Sequence, residues 1–115
     1  EISKEIYKPG PKAPASVENL LGTIALKKGN YLEAVKQFSK ANAKEPNNPE
    51  YLNNLSYVYL TRPEPDPREA LKMVDRAIRS VQSGVIRSRY LTNFYDTKGR
   101  ALLALGKIAE EEGDL

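Results

Sequence analysis

The sequence predicts an all-α protein built from antiparallel helix hairpins joined by short turns. Three observations carry that prediction. Apolar residues recur at helical spacing in separate stretches, and no alternation of period two is long enough to suggest a strand. The stretches are bounded by residues that start and stop helices. The pattern of the first pair of stretches also recurs 34 residues later, with Leu21 over Leu55 and Leu26 over Leu60.

Residues 8–15, KPGPKAPA, hold three prolines and a glycine, so they are extended and separate the short start EISKEIY from the rest. Residues 1–14 are therefore read as an N-terminal extension and proline-rich linker, and residues 15–115 as the helical domain. A first helix is expected from about Ser16, a good N-cap residue, with Leu20, Leu21, Ile24, Ala25 and the stem of Lys28 on its apolar face. Gly29-Asn30 stops it. Asn30 and Glu33 form a capping-box-like start to a second helix whose stripe is Leu32, Val35, Phe38 and Ala41, ended by Pro46.

Asn48-Pro49 opens a third helix through Leu52, Leu55, Val58, Tyr59 and Leu60, with proline in the first turn, where no N–H is needed. TRPEPDP, residues 61–67, is a stiff loop. Asp66-Pro67-Arg68-Glu69 then supplies a cap, a proline and an acid, and starts a fourth helix that carries Ala70, Leu71, Val74, Ala77, Ile78 and Val81 inward, closing at Ser83-Gly84. Residues 85–92 are ambiguous. A last helix is expected from about Asn93 to Leu105 or beyond.

The totals exclude several functions. With 115 residues the chain holds one small domain. There is no Cys, hence no disulfide framework or thiolate metal site, and no His, the commonest general base and metal ligand. The acids Glu64 and Asp66 read as loop punctuation, and Glu110–Glu112 as a solvated end. No phosphate-binding glycine loop is present, because KPGPK lacks the strand–loop–helix context. The chain is expected to be neither an enzyme nor the holder of a cofactor or metal. No apolar run is long enough for a membrane span, so no membrane insertion is expected. The chain begins with Glu1 rather than Met. The compartment thus stays open between cytoplasm and, if a signal peptide has been removed, periplasm or exterior.

With a two-residue insertion in the second loop, Ala34 aligns with Ala70, Phe38 with Val74 and Ala41 with Ala77; a third copy opens at Tyr95, with Gly99 over Gly22. This resembles the tetratricopeptide repeat family, whose helix hairpin carries W-x2-L-G-x2-Y, then A-x3-F, then P. The first copy reads Glu18, Leu21-Gly22, Ala25, then Ala34, Phe38, Ala41 and Pro46. The second reads Leu52, Leu55-Ser56, Tyr59, then Ala70, Val74 and Ala77. The third reads Tyr95, Lys98-Gly99 and Leu102. The resemblance implies a short right-handed α-solenoid of about two and a half repeats, with copies at 15–48, 49–84 and an incomplete 93–115. Gly22 and Ala34 would let one hairpin close, Ala41 would admit the next repeat, Phe38 would fill the space between, and Gly99 would repeat the role of Gly22. The distance from Ser56 to Gly99 is 43 residues instead of 34, so stacking is not expected to be even. EEEGDL at the end suggests a piece of a longer array, since three acids oppose a helix C-terminus.

The resemblance further implies a concave surface that binds a peptide or partner protein, as a scaffold or adaptor does. By position it would carry Ser16, Asn19, Leu20, Thr23 and Lys27 from the first copy. Glu50, Asn53, Asn54, Tyr57 and Thr61 would come from the second, and Asn93, Asp96, Thr97 and Arg100 from the third. Side-chain amides suit a peptide backbone, offering donors and an acceptor without reading sequence, and Tyr57 adds an amphipathic anchor. Asn54→Ala is therefore expected to weaken binding and leave stability nearly unchanged. Some family members clamp a C-terminal carboxylate with Lys, Asn and Arg. Only Asn54 matches that set, so such a tail is not the expected ligand.

Two other surfaces stand apart from this one. Arg68, Lys72, Arg76 and Arg79 lie near one face of the fourth helix and suit an acidic protein or an RNA backbone; nucleic acid is the less expected, because few aromatics interleave the cations. Leu102, Leu103 and Leu105 on the last helix suit self-association.

Overall fold

A computed structural model describes residues 12–82 and 91–111. The described residues form five α-helices and no strand: α1 (Ala15–Lys27), α2 (Tyr31–Lys44), α3 (Pro49–Thr61), α4 (Pro67–Gln82) and α5 (Leu91–Glu111). Each helix packs against the next in sequence, and α3 also packs on α5. Residues 1–11, 83–90 and 112–115, and with them the Ser83-Gly84 stop, most of the ambiguous stretch and the terminal GDL, lie outside the described residues.

The helix boundaries follow from local chemistry. Gly29 has φ of 77°, the left-handed conformation that ends α1, with Asn30 N–H donating to Ala25 O at 2.9 Å and Gly29 N–H to Leu26 O at 3.0 Å. Asn30 Oδ1 then accepts from Glu33 N at 3.2 Å and starts α2. Glu45, just before Pro46, leaves helical geometry and ends α2. Asn48 Oδ1 accepts from Glu50 N at 3.0 Å and from Tyr51 N at 3.3 Å, and Asp66 Oδ1 accepts from Glu69 N at 3.1 Å. The proline-rich loop is held by Asp66 N–H donating to Tyr59 O at 2.8 Å and by the Arg62 guanidinium 4.7 Å above the Tyr59 ring.

The start of α1 differs from expectation. The helix begins at Ala15 with Pro14 at the cap position and no side-chain cap, so Ser16 does not serve as the cap. Tertiary contact replaces it. Lys44 Nζ, at the end of α2, donates to Ala13 O at 2.7 Å and lies 3.0 Å from Glu18 Oε1. Glu18 is buried, and its carboxylate near a helix N-terminus also meets the favourable end of the helix dipole.

Three linked clusters form the core: Ala25, Ala34, Phe38, Leu55 and Val58; Leu52, Val74, Ala77, Ile78 and Phe94; and Ala15, Ala41 and Tyr51. Burial, then the Glu45 and Glu50 carboxylates, raises the Tyr51 hydroxyl above the usual phenol range. The aligned pairs Ala34/Ala70 and Ala41/Ala77 are fully buried, and Phe38 and Val74 nearly or fully so. Ser56, over Gly22, is also buried; its hydroxyl donates to Ala70 O at 2.6 Å and ties α3 to the start of α4.

Gly22 is where α1 and α2 meet most closely. A Cβ there would lie 2.5 and 2.6 Å from ring carbons of Phe38, well inside contact distance. Gly99 does not repeat this role: it is exposed, and an added Cβ would meet nothing within 4 Å. The inward residues of α5 are Phe94, Thr97 and Ala101, and Gly99 lies off that stripe. Leu32, placed in the core stripe of α2 by its spacing, is 84% exposed, because it lies about 200° around the helix from Ala34. The inward face of α2 is Ala34, Gln37, Phe38 and Ala41, and Gln37 Nε2 donates to Glu33 Oε2 at 2.7 Å. Leu20 and Ile24 likewise face outward, 59% and 42% exposed, while α1 buries Ala15, Glu18, Gly22 and Ala25.

These contacts predict opposite signs for two chemically identical changes. Gly22→Ala is expected to lower stability by about 1–3 kcal/mol through overpacking against Phe38. Gly99→Ala, in open space inside a helix, is expected to raise it by up to about 1 kcal/mol. Phe38→Ala is expected to cost about 3–5 kcal/mol. Chemical denaturation of the three variants beside the wild type checks all of these; equal shifts for the two glycine variants would refute the account of the hairpin contact.

Candidate protein-binding surface

Polar and apolar side chains left over from the core gather on the outer faces of α1 and α3. The Asn54 amide donates from Nδ2 to Asn19 Oδ1 at 2.9 Å, joining helices across 35 residues of sequence. The Thr23 hydroxyl, one turn along α1, donates to its own helix at Asn19 O at 3.0 Å, and Thr61 does the same to Tyr57 O at 2.9 Å. Tyr57, one turn beyond Asn54, is 38% exposed, and Leu20 adjoins Asn19. The surface therefore combines a paired amide bridge with an exposed aromatic ring and the exposed aliphatic side chains of Leu20 and Ile24.

The site residues expected from sequence divide unevenly. Asn19, Asn54, Thr23 and Tyr57 come together, but Asn19 and Asn54 satisfy each other instead of standing free. Asn53 Oδ1 is shut away from solvent and has no hydrogen-bond partner among the described residues, so its acceptor is not on offer to a ligand. Asp96 and Arg100 are exposed and form an ion pair on α5, with Arg100 Nε 3.0 Å from Asp96 Oδ2. Thr97 is not at the surface: it is buried, and its hydroxyl donates to Asn93 O at 3.0 Å. Its neighbour by spacing, Phe94, is a core residue of the α4–α5 contact. Sequence reasoning missed Ile24, which lies one turn beyond Leu20. Its signal was the absence of any large apolar residue on the opposite side of α1, where Glu18, Gly22 and Ala25 sit.

The basic residues of α4 lie where the helical spacing puts them. Arg68, Lys72 and Arg79 are exposed, Lys72 is 3.5 Å from Glu69, and Arg76 is partly covered, its guanidinium donating to Pro46 O at 3.1 Å. On α5, Leu102 and Leu103 are exposed while Leu105 is half-buried. Among the described residues no group of three acidic side chains is placed to hold a metal ion, and no helix is long and apolar enough to cross a membrane.

Compared with family models, with curated proteins and with solved structures, the chain matches none.

The amide bridge changes the expectation for Asn54. Asn54→Ala and Asn19→Ala are each expected to lower stability by about 0.5–1.5 kcal/mol, and the double variant by less than their sum, because the second change removes a group already without its partner. Denaturation midpoints of the four proteins measure the coupling; strict additivity would show that the bridge does not form in solution.

Proposed function

We propose that this chain is a protein–protein interaction module of the tetratricopeptide type. Its hairpins stack as a short right-handed α-solenoid, and it binds a partner segment on the face made by the first helix of each repeat. The observation that carries the reading is the Asn19–Asn54 bridge, which joins equivalent faces of α1 and α3 with Leu20, Ile24 and Tyr57 exposed beside it. The repeated burial of Ala34/Ala70 and Ala41/Ala77, and the two caps at Asn30 and Asp66, support the hairpin repeat. The charges expected on this face are self-paired at Asp96 and Arg100, so apolar anchoring at Tyr57, Leu20 and Ile24 leads recognition. A tail clamped by its terminal carboxylate does not fit, since the Asn54 amide is engaged by Asn19. Absence of His and Cys favours binding over catalysis.

A displayed random-peptide library panned against the protein tests this function. Enriched peptides are expected to carry apolar residues, and to lose at least tenfold in affinity against Tyr57→Ala combined with Leu20→Ala, with helical content unchanged. Peptides indifferent to that pair of substitutions would refute the face.

The open face of α5 supports a second reading, self-association. Leu102 and Leu103 are 49% and 63% exposed beside Gly99, where nothing lies within 4 Å of an added Cβ. Sedimentation velocity over a hundredfold range of concentration is expected to show a dimer that Leu102→Glu with Leu103→Glu abolishes; a wild-type monomer throughout refutes it.

A further inference from the structure

The outward faces of α2 and α4 share cations at two aligned positions. The alignment that sets Ala34 on Ala70 and Ala41 on Ala77 also sets Leu32 on Arg68, Lys36 on Lys72 and Lys40 on Arg76. Lys36, Lys40, Arg68, Lys72 and Arg79 are all exposed. The acids of the same two helices are engaged: Glu33 accepts from Gln37 at 2.7 Å, Asp75 pairs with Lys98 at 2.9 Å, and Glu69 lies 3.5 Å from Lys72. Among the described residues no ion pair forms at Lys36, Lys40, Arg68 or Arg79. Arg76 crosses from α4 to Pro46 O, in the turn that follows α2, and links α4 to that end of α2.

We infer that the outward faces of α2 and α4 form one basic surface that docks an acidic helical segment of another protein, separately from the face of α1 and α3. Charge complementarity identifies the occupant. Steps of four residues along a helix are about 6 Å, so Arg68, Lys72 and Arg76 on one helix, and Lys36 and Lys40 on the other, match carboxylates spaced four apart on a helix laid alongside. Leu32, almost fully exposed at the end of the α2 stripe, supplies one apolar contact that a partner leucine would cover. An RNA strand fits less well, because among the described residues no exposed aromatic side chain lies among the cations to stack a base. A membrane surface fits less well too, because Leu32 is alone where an interfacial helix needs an apolar face.

Fluorescence anisotropy with a labelled helical peptide, bearing Glu at every fourth position and one leucine, tests the surface in low and in physiological salt. The full chain is expected to bind, more weakly in the higher salt. Lys36→Glu with Lys40→Glu, and separately Arg68→Glu with Lys72→Glu, are each expected to weaken binding at least fivefold with unchanged circular dichroism. Lys28→Glu, at a cation off the surface, is expected to leave it unchanged. No binding in low salt would overturn the proposal, as would indifference to the α2 pair or an equal loss with Lys28→Glu. Tighter binding to single-stranded RNA, or to phosphatidylserine vesicles, than to the acidic peptide would also overturn it. Because these substitutions leave Leu20 and Tyr57 intact, failure here is distinguishable from failure of the peptide-binding face.

Discussion

The contact between Gly22 and the Phe38 ring is the constraint on which the rest depends. A ring that sits where a side chain would start sets how closely α1 and α2 approach. The same ring is packed with Leu55 and Val58 of α3, so the first hairpin and the next helix are positioned by one side chain. Close-packed interiors transmit such a constraint, since neither helix can move without opening a void or forcing an overlap. Ala34 and Ala41, with no exposed surface, let the backbones approach on either side of it. The outer faces of α1 and α3 are then brought near enough for Asn19 and Asn54 to bond directly. The proposed binding surface is in this sense a by-product of a glycine.

Much of the fold was legible in the sequence because its signals are local. Caps at Asn30, Asn48 and Asp66, the left-handed Gly29 and the stop at Pro46 act within a few residues, and each does what its chemistry dictates. The small-residue spacing was legible because it recurs. Leu32, Leu20 and Ile24 were misjudged for the same underlying reason: hydrophobicity was taken to mark the core. α1 and α2 put alanine, glycine and even a glutamate inward beside Phe38, and leave Leu20, Ile24 and Leu32 outside. The start of α1 was hidden because its stabilising group, Lys44, is remote in sequence. Gly99 was misjudged because identity with Gly22 in an alignment says nothing of whether a bulky partner is present.

The candidate surface was legible in composition but not in connectivity. Asn19 and Asn54 were read as amides open to a ligand; both are half-buried, and that each answers the other could be learned only from the relative placement of α1 and α3. Amides that bond to one another are held in fixed rotamers, so whatever binds beside them meets a preformed edge and loses less side-chain entropy on association. Asn53, one residue away, has its oxygen buried, which shows how sharply a helix face is divided.

Each helix rests chiefly on its neighbours in sequence, and this has a kinetic consequence. The segments that must meet lie close together along the chain, so little chain entropy is lost before native contacts begin to form. Chains of this kind fold quickly for their stability, on the scale of microseconds to milliseconds. The Asn19–Asn54 bridge and the Lys44–Ala13 bond each span more than thirty residues, so closing them costs more chain entropy than closing a turn. Contacts that close after the hairpins form set how long a folded state lasts more than how fast it is reached.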